Sequence, residues 1–146
     1  MSALLLSLAS CVSPDRTKPI SGQLSYRTVD TMGLIGDVVV VPGDPFQLNF
    51  YKGPGEPLLQ VENSGVYGSA SGSLAGPGWS GRVEKAPDQL ATWLALRSAF
   101  NGPETGAARN PNQPSFTVDR DYDGSKLIGM TVAFVGTGEK FTFRFD

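Results

Sequence analysis

The residues whose types and spacing are best suited to chemistry are Asp119, Asp121, Asp123 and Gly124, which spell D-x-D-x-D-G. In a calcium-binding loop, alternate carboxylates of this kind converge on one hard cation and the glycine permits a sharp turn. The match predicts a calcium site on Asp119, Asp121 and Asp123. It covers the first half of such a loop, because Met130 stands where the bidentate glutamate belongs. The same residues also read as a hairpin tip, with Asp123-Gly124 supplying a positive-φ turn and the acids solvated. Counting excludes other chemistries. The chain has no His and a single Cys, which removes His-based general bases, Ser-His-Asp and Cys-His nucleophile pairs, and His or Cys zinc sites. Asp37 and Glu62 fall at expected strand ends, where charge is solvated, and not in the apolar pocket that a carboxylic acid catalyst needs. The S-x-x-K spacing of serine-lysine chemistry is absent. Gly53-Pro54-Gly55 and Gly76-Pro77-Gly78 lack the Lys-Ser or Lys-Thr that follows a phosphate loop, so they read as turns. These residues predict a non-enzymatic protein without a cofactor.

The single cysteine has a distinctive setting. Residues 3–9 read ALLLSLA, and the apolar run ends at Leu8, Ala9, Ser10 and Cys11 before the chain turns polar. A run this short cannot cross a hydrocarbon core of about 30 Å, which takes about 20 helical residues, but it suits the apolar part of a signal peptide. Leu8-Ala9-Ser10-Cys11 resembles the bacterial lipobox. That resemblance implies cleavage after Ser10 and lipid attachment to Cys11, with Val12 in place of Asp implying the outer membrane. Each buried CH₂ of an acyl chain contributes about 0.8 kcal/mol, so several chains on one residue hold a domain on a membrane. No Lys or Arg lies between Met1 and Cys11, although a signal peptide normally begins with positive charge; this points to a start further upstream. The competing reading is an ordinary apolar N-terminal segment with a free thiol. Residues 1–10 are therefore expected to be a signal peptide, 11–20 a tether, and 21–146 one β-rich domain.

Charge and composition bound the partners. With 12 basic and 14 acidic residues the chain is nearly balanced, which disfavours nucleic acid. Hydrophobic residues make up 40%, enough apolar surface to offset the entropy of ordering. Gly and Pro together form about one residue in five, against roughly 12% on average, so turns and short strands are expected.

The elements follow from periodicity. Alternation predicts strands at 22–31, 46–52, 57–62, 66–73, 115–122, 126–136 and 139–146, and the β-branched run predicts another at 37–41. Residues 76–81 read as a loop carrying Trp79, and 101–113 as a polar loop. One helix is expected over 87–100, with Pro87 in its first position, Asp88 at the positive end of its dipole, and Asn101-Gly102-Pro103 as a left-handed cap and stop. Leu90, Trp93, Leu94 and Phe100 share one stripe, so the helix should lie on a sheet. Ile128, Met130, Val132 and Phe134 are expected on one face of their strand, and Phe141, Phe143 and Phe145 on one face of the last. Short turns between neighbouring strands predict an antiparallel meander. The fold class is thus α+β and mainly β, a curved, half-barrel-like antiparallel sheet covered by one helix.

The stretch FQLNFYKGPGEPLLQVE at 46–62, with the late helix and paired terminal strands, resembles bacterial lipoprotein-localisation proteins of the LolA and LolB type. In that family a curved sheet wraps helices around a greasy cavity. The resemblance implies a lipid-anchored, non-enzymatic envelope protein facing the periplasm, with Leu90, Trp93 and Leu94 offered to an apolar ligand such as an acyl chain or a lipoprotein. Two alternatives stand beside it: an anchored structural or interaction module with a filled core, and a calcium-dependent binding domain. The expected partners are the membrane, through the anchor, and a lipid or an envelope protein.

Overall fold

The computed structural model describes residues 18–30, 33–102, 105–106 and 114–146. They form one open antiparallel sheet and one α-helix. The strands are β1 (Ile20–Arg27), β2 (Gly33–Val41), β3 (Phe46–Tyr51), β4 (Leu59–Asn63), β5 (Tyr67–Ser71), β6 (Trp79–Arg82), β7 (Thr105–Gly106), β8 (Phe116–Asp123), β9 (Lys126–Phe134) and β10 (Lys140–Phe145). Their order across the sheet is β6-β5-β4-β3-β2-β1-β10-β9-β8-β7. The first described strand, β1, therefore lies in the middle of the sheet, and the chain runs from it outward to the β6 edge. It then returns through the helix α1 (Asp88–Asn101) to the opposite edge and works back until β10 pairs with β1.

Alternation sorts side chains onto two faces, because successive residues of a strand point to opposite sides. The inner face carries Leu24, Val38, Val40, Phe46, Leu48, Phe50, Leu59, Val61, Met130, Val132, Phe134, Phe141, Phe143 and Phe145, all buried. Helix α1 covers this face. Two glycines allow the central strands to sit close together. A Cβ on Gly22 would collide with the Arg144 carbonyl oxygen, and one on Gly36 with that of Tyr51, so neither position admits a side chain without moving backbone.

The mainly β, α+β architecture matches the expectation from periodicity. Four local expectations are corrected. Trp79 lies in an edge strand, since the loop ends at Gly78 and Ala70 pairs with Trp79. Strand β2 begins at Gly33, and Gly36 had hidden its first half by interrupting the apolar pattern. Pro87 is the N-cap and helix α1 starts at Asp88. The helix ends without a left-handed glycine: Gly102 has φ −107°, and its N–H donates to the Ser98 carbonyl at 2.8 Å. Arg120 makes the left-handed cap unnecessary by donating to the Ala99 and Gly102 carbonyls, which would otherwise lack partners at the helix end. The polar-loop expectation for 101–113 lies largely outside the described residues; within it, Thr105 and Gly106 pair with Thr117 and Phe116.

A β-bulge changes one face assignment. Asp121 pairs with Gly129, but Tyr122 pairs with Leu127, so β9 contributes one residue more than β8 at this point. Leu127 thereby packs toward the core, while Ile128 lines the outer surface with Gly129 and Thr131. Ile128 thus leaves the inner row that periodicity assigned to it, because a bulge shifts the alternation by one.

Candidate functional site

Trp93 is the centre of the helix–sheet interface. Its ring lies 4.9 Å from Tyr26, 4.8 Å edge-on from Phe141 and 5.9 Å from Phe50, measured between centroids. Leu90, Trp93 and Leu94 are 2%, 4% and 1% exposed. The structure therefore brings the expected apolar face together, with its side chains occupied in packing against the sheet. Burial extends beyond one stripe to Thr92, Ala95, Leu96 and Ala99, because a curved sheet meets the helix on more than one side.

Beside Trp93 sits a polar cluster that periodicity did not reveal. The Tyr26 hydroxyl donates to Glu139 Oε2 at 2.5 Å, and Thr92 Oγ1 donates to the same oxygen at 2.9 Å. Thr92 is fully buried. Burial raises the Tyr26 pKa well above its ordinary value, and the hydrogen bond to Glu139 and the charge of that carboxylate push it further the same way. Tyr26 is consequently a neutral donor that fixes the β1 end to the β9–β10 turn. The only sequence signal was Glu139 directly after Gly136-Thr137-Gly138, which reads as a turn residue.

The concavity that borders the helix is a cleft of about 220 Å³ between Ala91, Leu94 and Ala95 on one side and Val66, Val83 and Pro114 on the other. Arg82 and Glu84, paired at 3.6 Å, stand on its rim. Asn63 closes its inner end: Nδ2 donates to the Leu94 carbonyl at 2.7 Å, and Oδ1 accepts the Gly65 N–H at 2.8 Å. The cleft is smaller than the roughly 300–1,000 Å³ of most small-molecule pockets. Its dimensions suit a single apolar side chain or the end of a chain.

Asp119, Asp121 and Asp123 lie on strand β8 and not in a loop, and all three are exposed. Asp119 and Asp121 share the outer face at a spacing of two residues, roughly 7 Å of strand. Among the described residues no three Asp, Glu, His or Cys side chains gather as a metal set would. Gly124, at φ 66°, makes the hairpin turn. Asp37 and Glu62 are exposed, on β2 and β4. Leu8, Ala9, Ser10 and Cys11 lie outside the described residues. Among the described residues no helix is long and apolar enough to cross a membrane. No protein-family model matches the chain, and no curated protein sequence matches it.

Proposed function

We propose that this chain is a lipid-anchored, non-enzymatic bacterial envelope protein, attached through Cys11 to the outer membrane and facing the periplasm, whose domain works as an interaction module. The anchor rests on Leu8-Ala9-Ser10-Cys11 followed by a polar tether with two prolines. The module reading rests on one observation: Leu90, Trp93 and Leu94 are packed into the core, so the position an acyl chain would take is filled by protein. A carrier of acyl chains is the second reading. The cleft beside Ala91, Leu94 and Ala95 favours it, as a place where the tip of a chain could enter.

Two measurements test these readings. Membrane fractionation and intact mass of the full chain should show acyl mass on the parent and none on Cys11→Ser, which should leave the membrane fraction; an unmodified parent overturns the anchor. Native mass spectrometry after detergent-free purification should show the bare protein, whereas a stoichiometric co-purified lipid would replace the module by the carrier.

A further inference from the structure

The outer face of the sheet carries a groove that stands apart from the helix and its cleft. It has a volume of about 650 Å³ and runs over β8, β9 and β10. Gly129 opens its floor, since the residue has no side chain and sits at the bulge. Thr131 and Thr142, paired with each other across β9 and β10, extend that floor. Asp119 and Asp121 form one wall and Arg144 the other.

The two walls are opposite in charge and do not neutralise each other. Asp121 pairs with Gly129, and Gly129 with Arg144, so the backbones of Asp121 and Arg144 are two strand spacings apart, about 10 Å. Among the described residues, Arg144, Asp119 and Asp121 take part in no ion pair. A direct bridge between the walls would need the side chains to fold flat across the glycine.

We infer that this groove is a binding site for a small zwitterion carrying an ammonium and a carboxylate, with its ammonium facing Asp121 and Asp119 and its carboxylate facing Arg144. The fit is one of charge: exposed carboxylates on one wall and an exposed guanidinium on the other, with a glycine floor between them, answer a ligand that carries an ammonium at one end and a carboxylate at the other. A guanidinium holds a carboxylate by two parallel N–H donors. The Thr131 and Thr142 hydroxyls supply further donors or acceptors along the floor. Bulges are enriched beside binding sites because they re-aim side chains, and this one turns Ile128 outward at the end of the groove. The site is open to water, so its affinity belongs in the millimolar range.

The test is a titration of the full, isotopically labelled chain with glycine, followed by amide shifts. Saturable shifts at Gly129, Thr131 and Thr142 are expected, with acetate and ethylammonium each binding about tenfold more weakly, the loss of one charge-assisted contact. Arg144→Gln and Asp121→Asn should weaken glycine by about the same factor. Gly129→Val keeps both walls and fills the floor; a Cβ there meets only ordinary contacts, at 3.4 and 3.6 Å, so the backbone need not move to admit it, an unchanged melting temperature should confirm the fold, and glycine binding should disappear. Absence of saturation overturns the proposal. So does acetate binding as tightly as glycine, which marks an adventitious anion only, or binding that Gly129→Val leaves intact.

Discussion

The two faces of the sheet are built by the same strands and differ in almost everything else. On β9, Met130 is buried and Thr131, its neighbour in sequence, belongs to the outer groove. On β10, Phe141, Phe143 and Phe145 turn inward while Thr142 and Arg144 turn outward. The inner face is closed by aromatic contacts, Trp93 with Phe141 at 4.8 Å and Phe100 with Phe143 at 5.2 Å. Stability resides on the inner face, and the unpaired charges of Asp119, Asp121 and Arg144 are left on the outer one. Where a sheet keeps its free charge and open volume is where a ligand has something to gain, because a filled core offers neither.

The contrast is most exposed at Trp93. Replacing it with Ala removes a ring packed on three aromatic neighbours and should lower unfolding stability by about 3–5 kcal/mol, read by urea denaturation. A loss below about 1 kcal/mol would mean the ring covers space that can be vacated, and the carrier reading would gain. The paired residues on β9 sharpen the same point. Met130→Ala should lose about 2–5 kcal/mol, and Thr131→Ala should stay within about 0.5 kcal/mol. Equal effects would erase the distinction between the faces.

Much of this division was legible in the sequence, and the reasons it failed in places are physical. Phe141, Phe143 and Phe145 alternate without interruption, so their common face followed from the pleat. The helix followed from Asp88 and the spacing of Leu90, Trp93 and Leu94. Ile128 did not follow, because a bulge is set by what pairs across the ladder: Asp121 and Tyr122 on the partner strand decide which way it points. The helix end was misread for the same kind of reason, since Arg120 reaches its carbonyls from 18 residues away from Gly102. The Tyr26, Thr92 and Glu139 cluster joins three elements, with Tyr26 and Glu139 separated by 113 residues, and no local pattern marks it. The groove was invisible as a site because its walls, Asp121 and Arg144, come together only through the β8-β9-β10 register.

The cluster at the seam of the two faces gives an effect of intermediate size. Tyr26→Phe removes a donor to a carboxylate and should cost about 1.5 kcal/mol at neutral pH. Its pH dependence has a definite sign. In the unfolded chain a tyrosine loses its proton near pH 10, whereas the folded protein holds the Tyr26 proton to higher pH, because of burial and the hydrogen bond and charge of Glu139. Above pH 10 the unfolded state therefore binds fewer protons, and stability falls as pH rises until the folded group also ionises. The steepest slope is about 1.4 kcal/mol per pH unit, reduced by the partial exposure of the ring. Tyr26→Phe should flatten this alkaline loss in denaturation curves collected between pH 9 and 11. An unchanged slope would mean that Tyr26 does not carry the alkaline loss.

The smallest effect is expected from calcium, and it bears on the outer face alone. Asp119 and Asp121 point the same way along a strand and Asp123 ends it beside the turn at Gly124, so the carboxylates are held in a row where a calcium ion needs six to eight oxygens around it. A ligand present at its Kd stabilises by only about 0.4 kcal/mol, or roughly 2 °C in a domain of this size. Millimolar calcium should therefore move the melting temperature by less than that, and the same holds for Asp121→Asn. A shift several times larger, lost in the variant, would show that the row bends around the ion. The turn would then have to give up the Asp123–Lys126 pairing, and the groove would lose the acidic wall on which its affinity for an ammonium depends.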